Sequence, residues 1–125
     1  PPKNYDANRF TFRRLDVDEC MPMLSEALDL LVSKNIKIIL TVSPVPLRTT
    51  MTDSDCMVAN EFSKSVLRVC AERLSKKIHN VDYYPSYEMV RAPGFASFKE
   101  YNIHVHDSVV GKITNHMIDK YLEAV

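Results

Sequence analysis

Two histidines near the end of the chain are the residues best suited to acid–base chemistry. His104 and His106 lie two residues apart in the run Ile-His-Val-His-Asp, which is typical of an extended segment, so both side chains point to the same side of the backbone. A histidine just ahead of a helix N-terminus is well placed to take and return a proton in an active site. The same pair could bind a metal ion, but no cysteine or third histidine lies at ligand spacing, so we expect no metal site. The simpler alternative is a solvent-facing histidine that precedes an ordinary helix.

Two loops that follow short apolar runs contain further candidates. Residues 43–50 are Ser-Pro-Val-Pro-Leu-Arg-Thr-Thr, and residues 84–88 are Tyr-Pro-Ser-Tyr-Glu, so each loop places proline beside hydroxyl groups and one charge. Ligands of open α/β sheets sit outside the carboxyl ends of the strands. Ser43, Ser86 and Glu88 are therefore candidate substrate-binding residues. Alternatively, the prolines only stiffen the two loops.

One arginine within a long helical pattern is a fourth candidate for substrate binding. Arg68 could bind an anionic group through its planar guanidinium. A single arginine on a helix is more often a solvated or salt-bridged surface group, and that alternative stays open. The chain has only two glycines, which excludes a phosphate-binding loop and a dinucleotide-binding fingerprint. We expect no cofactor.

The composition limits the classes of protein that remain. A chain of 125 residues is enough for one domain. Sixteen basic and sixteen acidic residues cancel, whereas proteins that bind nucleic acids or membrane surfaces usually carry a basic excess, so we expect neither partner. Three cysteines form no paired motif, which favours reduced thiols and a cytoplasmic location. No signal peptide and no membrane-spanning run is visible.

The first half of the chain alternates between a helix and a strand. Residues 1–14 form an N-terminal arm without periodicity. Apolar residues at helical spacing then predict a helix that is capped by Asp16 or Asp18 and ends near Asn35. Residues 36–42 are β-branched and almost wholly apolar, which is typical of a strand covered on both faces.

The second half repeats the alternation. A helix begins near Asp53 or Asp55 and ends at Lys77, and a second short strand covers residues 81–84. The predicted apolar stripe of that helix consists of Met57, Val58, Phe62, Val66, Val69, Cys70 and Leu74.

A last helix is capped by Asp107 or Ser108. Its predicted buried face consists of Val109, Val110, Ile113, Met117, Tyr121 and Leu122.

The order helix, strand, helix, strand, helix predicts an α/β fold with a parallel sheet and helices on both faces. Two short strands are too few, because an α/β domain usually needs about four to six strands to cover its helices. Three amphipathic helices on so small a sheet would leave apolar surface in water. We therefore expect further strands from an upstream half of the same chain or from a partner subunit.

Three ordered blocks of the sequence resemble one known family, the GSCFA family. The blocks, which the pair His104-Val105 follows, are residues 39–47 with Thr49 and Thr50, residues 58–60 with 63–68, and residues 81–88. Their matching order and spacing are more specific than any single block. The resemblance runs from about Phe10 to the C-terminus and corresponds to the second half of the family's domain.

The resemblance implies a fold and a chemistry. GSCFA proteins are similar to SGNH hydrolases, whose flavodoxin-like domain is a three-layer α/β/α sandwich with a parallel sheet. The implied reaction is hydrolysis or transfer of an acyl ester on a small molecule or carbohydrate, with a serine nucleophile and a histidine base. By position, His104 matches the family's histidine, and His106 lies one residue beyond the match.

The chain departs from the family pattern in three places. It contains no Gly-Ser-Cys-Phe-Ala block, so the nucleophilic serine of the family has no counterpart, and the block that supplies oxyanion donors is also missing. The related pattern places an aspartate three residues before the histidine, where this chain has Tyr101, with Glu100 one residue earlier. Glu100 could replace it through a shifted backbone.

These observations lead to two hypotheses. The first is that the chain is the C-terminal half of an SGNH-like esterase or acyltransferase and is inactive alone, because a base without a nucleophile cannot form an acyl-enzyme. The second is a non-catalytic interaction module, or a homodimerising α/β domain. Tyr101 at the expected aspartate position favours the second hypothesis.

Overall fold

A computed structural model describes Asp6, residues 8–100 and residues 103–122. Helices and strands alternate as the sequence predicts as far as the second strand, and a short helix and a 3-10 turn that were not predicted precede the last helix. In chain order the elements are α1 (Val17–Val32), β1 (Ile38–Leu40), α2 (Cys56–Lys77), β2 (Val81–Tyr83), α3 (Ser86–Arg91), a 3-10 turn (Gly94–Ser97) and α4 (Asp107–Tyr121). The part of the N-terminal arm that precedes Asp6 lies outside the described residues.

Capping residues set the start of the two long helices. The Asp16 carboxylate accepts a hydrogen bond from the Glu19 N–H at 2.9 Å, and the Glu19 carboxylate accepts one from the Asp16 N–H at 3.2 Å. This reciprocal pair begins α1 and selects Asp16 over Asp18 as the cap. At α2 the Asp55 carboxylate accepts from the Met57 N–H at 2.8 Å, which confirms Asp55 as the cap.

The two strands form a parallel sheet, as predicted. Ile38 lies opposite Val81, Ile39 opposite Asp82, and Leu40 opposite Tyr83. The side chains of Ile38, Leu40 and Val81 join a core with α1 and α2, in a cluster that also contains Leu28, Val66, Cys70 and Leu74. Asp82 points the other way and receives a hydrogen bond from Tyr121 of α4.

Both strands are shorter than predicted. Residues 36–42 reduce to Ile38–Leu40, and residues 81–84 reduce to Val81–Tyr83. Because β1 pairs only with β2 among the described residues, its length is limited to the three residues that find a partner there.

Two local predictions in the second half of the chain are wrong. The stretch 84–88 is not a continuous loop, because the turn of α3 begins at Ser86 and continues to Arg91. His106 occupies the N-cap position of α4 without a side-chain capping hydrogen bond, and Asp107 is the first helical residue, so neither Asp107 nor Ser108 is the cap.

The apolar stripe of α2 was placed partly on the wrong side. Val66, Cys70 and Leu74 are buried as predicted, whereas Phe62 and Val69 are each 38% exposed, and Met57 and Val58 are 75% and 62% exposed. These two residues lie in the first turn of α2, beyond the end of the core cluster. The remaining buried residues of α2 are Ala59, Asn60, Lys64 and Ala71.

The predicted face of α4 is covered only in part. Val109, Ile113, Met117 and Tyr121 are half-buried, whereas Val110 and Leu122 are exposed. No residue of α4 is fully buried against the described part of the chain. Its attachment therefore depends on a small number of specific contacts.

Candidate functional site

A short antiparallel bridge positions His104. Phe98 pairs with Val105 in an isolated bridge between the 3-10 turn and α4. The Lys99 N–H donates to the His104 carbonyl at 2.7 Å, and the His106 N–H donates to the Ser97 carbonyl at 2.9 Å. These backbone hydrogen bonds fix the position of the His104 backbone, and so the position from which its imidazole extends.

His104 lines a cleft of about 430 Å³ beyond the carboxyl end of the sheet, hereafter the histidine cleft. The other lining residues are Pro44, Val45, Ser86, Val90, Lys99, Val105, Asp107, Val110, Ile113 and Thr114. The structure therefore brings together two of the candidate residues, His104 and Ser86. The His104 imidazole is exposed and has no hydrogen bond to any other described residue, so it is free to meet a ligand.

The carboxylates beside His104 do not orient its imidazole in this structure. Both oxygens of Asp107 accept from the Lys99 ammonium, at 2.8 and 2.9 Å. This contact lowers the pKa of the Asp107 carboxyl. Glu100 is exposed and makes no hydrogen bond to His104 within the described residues. Tyr101, which occupies the expected aspartate position, lies outside the described residues.

The loop at residues 43–50 is fastened to α2 through the backbone of Leu47. The buried Asn60 side chain accepts from the Leu47 N–H at 3.0 Å, and the Cys56 thiol donates to the Leu47 carbonyl at 3.3 Å. Ser43 is exposed, and its hydroxyl accepts from the Val45 N–H at 3.3 Å, so it closes a local turn at the edge of the histidine cleft. Asn60 belongs to the sequence block 58–60, but no role was predicted for its side chain.

Arg68 and Glu88 lie together between α2 and α3. Arg68 Nε is 2.5 Å from Glu88 Oε1, and its Nη1 is 2.9 Å from Glu72 Oε2. The Tyr83 hydroxyl donates to the other Glu88 oxygen at 2.8 Å. The Arg68 guanidinium also lies 4.1 Å from the centre of the Tyr83 ring. These two candidate residues therefore contact each other, and they do not line the histidine cleft.

The pKa values of this group reflect the same contacts. Burial by itself would raise the pKa of the Glu88 carboxyl, but the hydrogen bonds from Tyr83 and Arg68 lower it overall. Burial, with the Glu88 carboxylate beside it, raises the pKa of the Tyr83 hydroxyl well above its usual range. Glu88 is therefore ionised and Tyr83 neutral across the physiological range.

Lys64 is a lysine whose side chain is largely buried, which the helical pattern did not reveal. It lies on α2 one turn before Arg68 and is only 9% exposed. Its amine has no ion pair with a described residue. Burial lowers the pKa of Lys64, and the charge of Glu61 opposes this effect.

A second cleft of about 690 Å³, hereafter the apolar cleft, adjoins the first. Its apolar lining consists of Pro44, Pro46, Leu47, Met57, Phe95, Phe98 and Ile103. Arg48, Asn60, Glu61 and Arg91 supply the main polar groups, and Arg91 pairs with Glu61 at 3.2 Å. The two clefts share Pro44, and the consecutive residues Ile103 and His104 line one cleft each.

Neither a metal cluster nor a membrane span is found in the part of the chain that the structure describes. No three side chains of histidine, cysteine, aspartate or glutamate come together there in a way that could hold a metal ion. None of the helices in that part combines the length and the apolar character that a bilayer crossing needs.

Comparison with known families shows to which family this chain belongs. The sequence model of the GSCFA family matches residues 2–117. The chain belongs to the GSCFA family. Searches of curated proteins and of solved structures find no match.

The three blocks that predicted GSCFA membership meet one another in the structure. The first block lies at β1 and its loop, the second in the N-terminal half of α2, and the third at β2 and α3. The Leu47–Asn60 hydrogen bond joins the first to the second, and the Arg68–Glu88 ion pair joins the second to the third. The GSCFA blocks therefore form one contiguous network beside the two clefts.

Proposed function

We propose that this GSCFA chain is part of an SGNH-like hydrolase or acyltransferase that acts on acyl esters. In this proposal His104 is the general base, and the serine nucleophile comes from the remainder of the protein. The observation that carries the proposal is the position of His104. Its unengaged imidazole lies in a cleft beyond the carboxyl end of parallel strands, which is where ligands of open α/β sheets bind.

The proposed reaction has two stages. The serine oxygen attacks the ester carbonyl carbon while its proton passes to His104, and the bond to the leaving alcohol then breaks as His104 returns that proton to the alcohol oxygen. In the second stage water, or an acceptor hydroxyl, attacks the acyl-enzyme with the same help from His104, which frees the serine. Ser86 faces the same cleft and is proposed to hydrogen-bond the substrate.

The other candidate residues have supporting parts in this proposal. Ser43 shapes the turn that carries Pro44 and Val45 to the wall of the histidine cleft. Arg68 and Glu88 hold α2 against α3 and so position Ser86, the first residue of α3. The substrate is a small-molecule or carbohydrate acyl ester.

Two observations support a three-layer α/β/α sandwich that is completed by further strands. Helices α1 and α2 pack against Ile38, Leu40 and Val81, while α4 meets Asp82, whose side chain points the opposite way. On the outer edge of β2 the Tyr83 N–H is already engaged, because it donates to the Asp82 carboxylate at 2.8 Å.

The outer edge of β1 is open. In the parallel ladder Ile38 and Leu40 direct their backbone groups to β2, so those of Ile39 point away from it and have no partner among the described residues. We propose that a strand from an upstream half of the protein, or from a partner subunit, pairs with this edge. The same edge supports the alternative function, an interaction module that joins its partner by strand addition.

The three thiols support a reducing, cytoplasmic location. Cys20, Cys56 and Cys70 are all free, and Cys70 is buried.

The proposed function can be tested on the native gene product from its own cells. We expect a fluorophosphonate probe to label a serine in it, and His104→Ala to reduce the labelling rate at least about a thousandfold. His106→Ala is the matched control and should label at nearly the normal rate. Absence of labelling in the native product, or equal labelling of the His104→Ala variant, would overturn the proposal and favour the interaction module.

A further inference from the structure

The apolar cleft has the dimensions and lining of a site for a hydrocarbon chain. Its volume of about 690 Å³ lies within the range of small-molecule sites. Phe98 and Ile103 form part of its wall, and Phe95 and Met57 stand at its rim, where they are 78% and 75% exposed. Large apolar side chains left in water around a concavity mark an interaction site rather than a solvated surface.

The charges in the apolar cleft restrict the kind of ligand. Glu61 and Arg91 neutralise each other at 3.2 Å. Asn60 already accepts the Leu47 N–H, so its side-chain oxygen is engaged. Arg48 has no ion pair with a described residue, which leaves the cleft with one unbalanced positive charge. An apolar chain with a neutral or anionic end fits these charges, whereas a cationic ligand does not.

The position of the apolar cleft connects it to the proposed chemistry. It shares Pro44 with the histidine cleft, and Ile103 faces one cleft while His104 faces the other. A ligand that spans Pro44 can therefore place an apolar tail in the apolar cleft and a polar carbonyl beside His104. A flexible methionine at the rim adapts to chains of different length.

We propose that the apolar cleft binds the acyl chain of the substrate, and that the chain is a medium-length saturated fatty acyl group. This inference rests on the proposed esterase or acyltransferase function for the identity of the ligand. It does not need the nucleophile, because binding of the acyl chain can be measured without turnover.

The test is binding of saturated fatty acids from hexanoate to decanoate to the native gene product, by calorimetry below their micelle concentrations. We expect the dissociation constant to fall about fourfold for each added methylene, since each buried methylene contributes about 0.8 kcal/mol. Met57→Lys and Phe95→Asp should each weaken decanoate binding about tenfold or more. Both residues are exposed in the described part of the chain, so these changes should leave its fold intact, which circular dichroism would verify.

Met23→Lys is the matched control, because Met23 is a 57% exposed methionine of α1 that lines neither cleft. The Met23→Lys variant should bind decanoate with unchanged affinity. The inference is supported if binding depends on chain length and both rim variants weaken it. That result would support the inference even if no serine is labelled, so the two proposals can fail separately. Affinity that is independent of chain length, or equal in the rim variants and the control, overturns the inference even in an active esterase.

Discussion

Arg68 on α2 and Glu88 on α3 form an ion pair with Nε 2.5 Å from Oε1, and this contact joins two of the GSCFA sequence blocks. Both side chains are partly exposed, at 32% and 41%, so the pair lies between a surface salt bridge and a buried one. Tyr83 adds a hydrogen bond to the same carboxylate, which restricts its orientation. The ion pair therefore fixes the position of α3 relative to α2.

A double-mutant cycle should detect the interaction between Arg68 and Glu88. We expect Arg68→Gln and Glu88→Gln to show a coupling energy of about 1 kcal/mol in urea denaturation at pH 7. Arg68→Gln with Glu72→Gln is the control cycle, and this i,i+4 pair on one helix should couple by only about 0.3–0.5 kcal/mol. Equal coupling in the two cycles would contradict a special role for Glu88.

The same cycle should depend on pH. The pKa of Glu88 is lowered in the folded protein below the 4.5 of an unconstrained glutamate. Its ionised form therefore stabilises the fold above that value, and the stabilisation is lost as the pH falls through the lowered pKa. Repeating the cycle from pH 7 down to pH 3 should show the coupling fade only below pH 4.5. A coupling that is already lost near pH 6 would show that another group controls it.

Lys64→Met should stabilise the protein. The pKa of Lys64 is lowered below 10.5 by burial, so the charged amine destabilises the folded state at every pH below its folded pKa. Replacement by an uncharged side chain of similar length should raise the free energy of unfolding at pH 7 by about 1 kcal/mol. The gain should shrink as the pH rises towards 10.5, because the unfolded chain then also loses the proton.

Lys112→Met is the control for Lys64, since Lys112 is an exposed lysine of α4. Its replacement should change the free energy of unfolding little at any pH. If Lys64→Met instead destabilised the native gene product, the amine would have a partner that the described residues do not supply.

Tyr84→Phe should loosen α4. The Tyr84 side chain is 1% exposed, and its hydroxyl donates to the Ile113 carbonyl at 2.7 Å and lies 3.1 Å from His116 Nδ1. Loss of this hydroxyl should cost about 1 kcal/mol and speed amide exchange along α4, because no residue of α4 is fully buried. Tyr87→Phe is the control, because it removes a tyrosine hydroxyl from a nearby position in the sequence. It should leave amide hydrogen exchange in α4 unchanged.

The open edge of β1 leads to a prediction about hydrogen exchange. If a further strand pairs with β1, the Ile39 amide in the native gene product should be protected as strongly as the Ile38 amide, which donates to the Asn80 carbonyl at 2.8 Å. An Ile39 amide that exchanges like an open backbone group, beside a protected Ile38, would show that no strand is added at this edge.

The sequence alone determined the local structure because short-range patterns control it. The apolar run around Ile38 predicted a strand that the structure confirms. Each long helix had two candidate capping aspartates in the sequence, and the structure selects Asp16 and Asp55 among them. The order of the elements predicted a parallel pair of strands, which the structure also contains. The three blocks predicted the GSCFA family, and the family match confirms it.

Only the tertiary structure decided which residues meet. Nothing in the helical period marks Lys64 as buried, because its burial depends on packing around α2 and not on its place in the apolar stripe. The pairing of Arg68 with Glu88, twenty residues apart, and the common cleft of Ser86 and His104 depend on how α2, α3 and the Phe98–Val105 bridge pack. Periodicity reports the side of a helix that is apolar, whereas distance between side chains is set by the packing of whole elements.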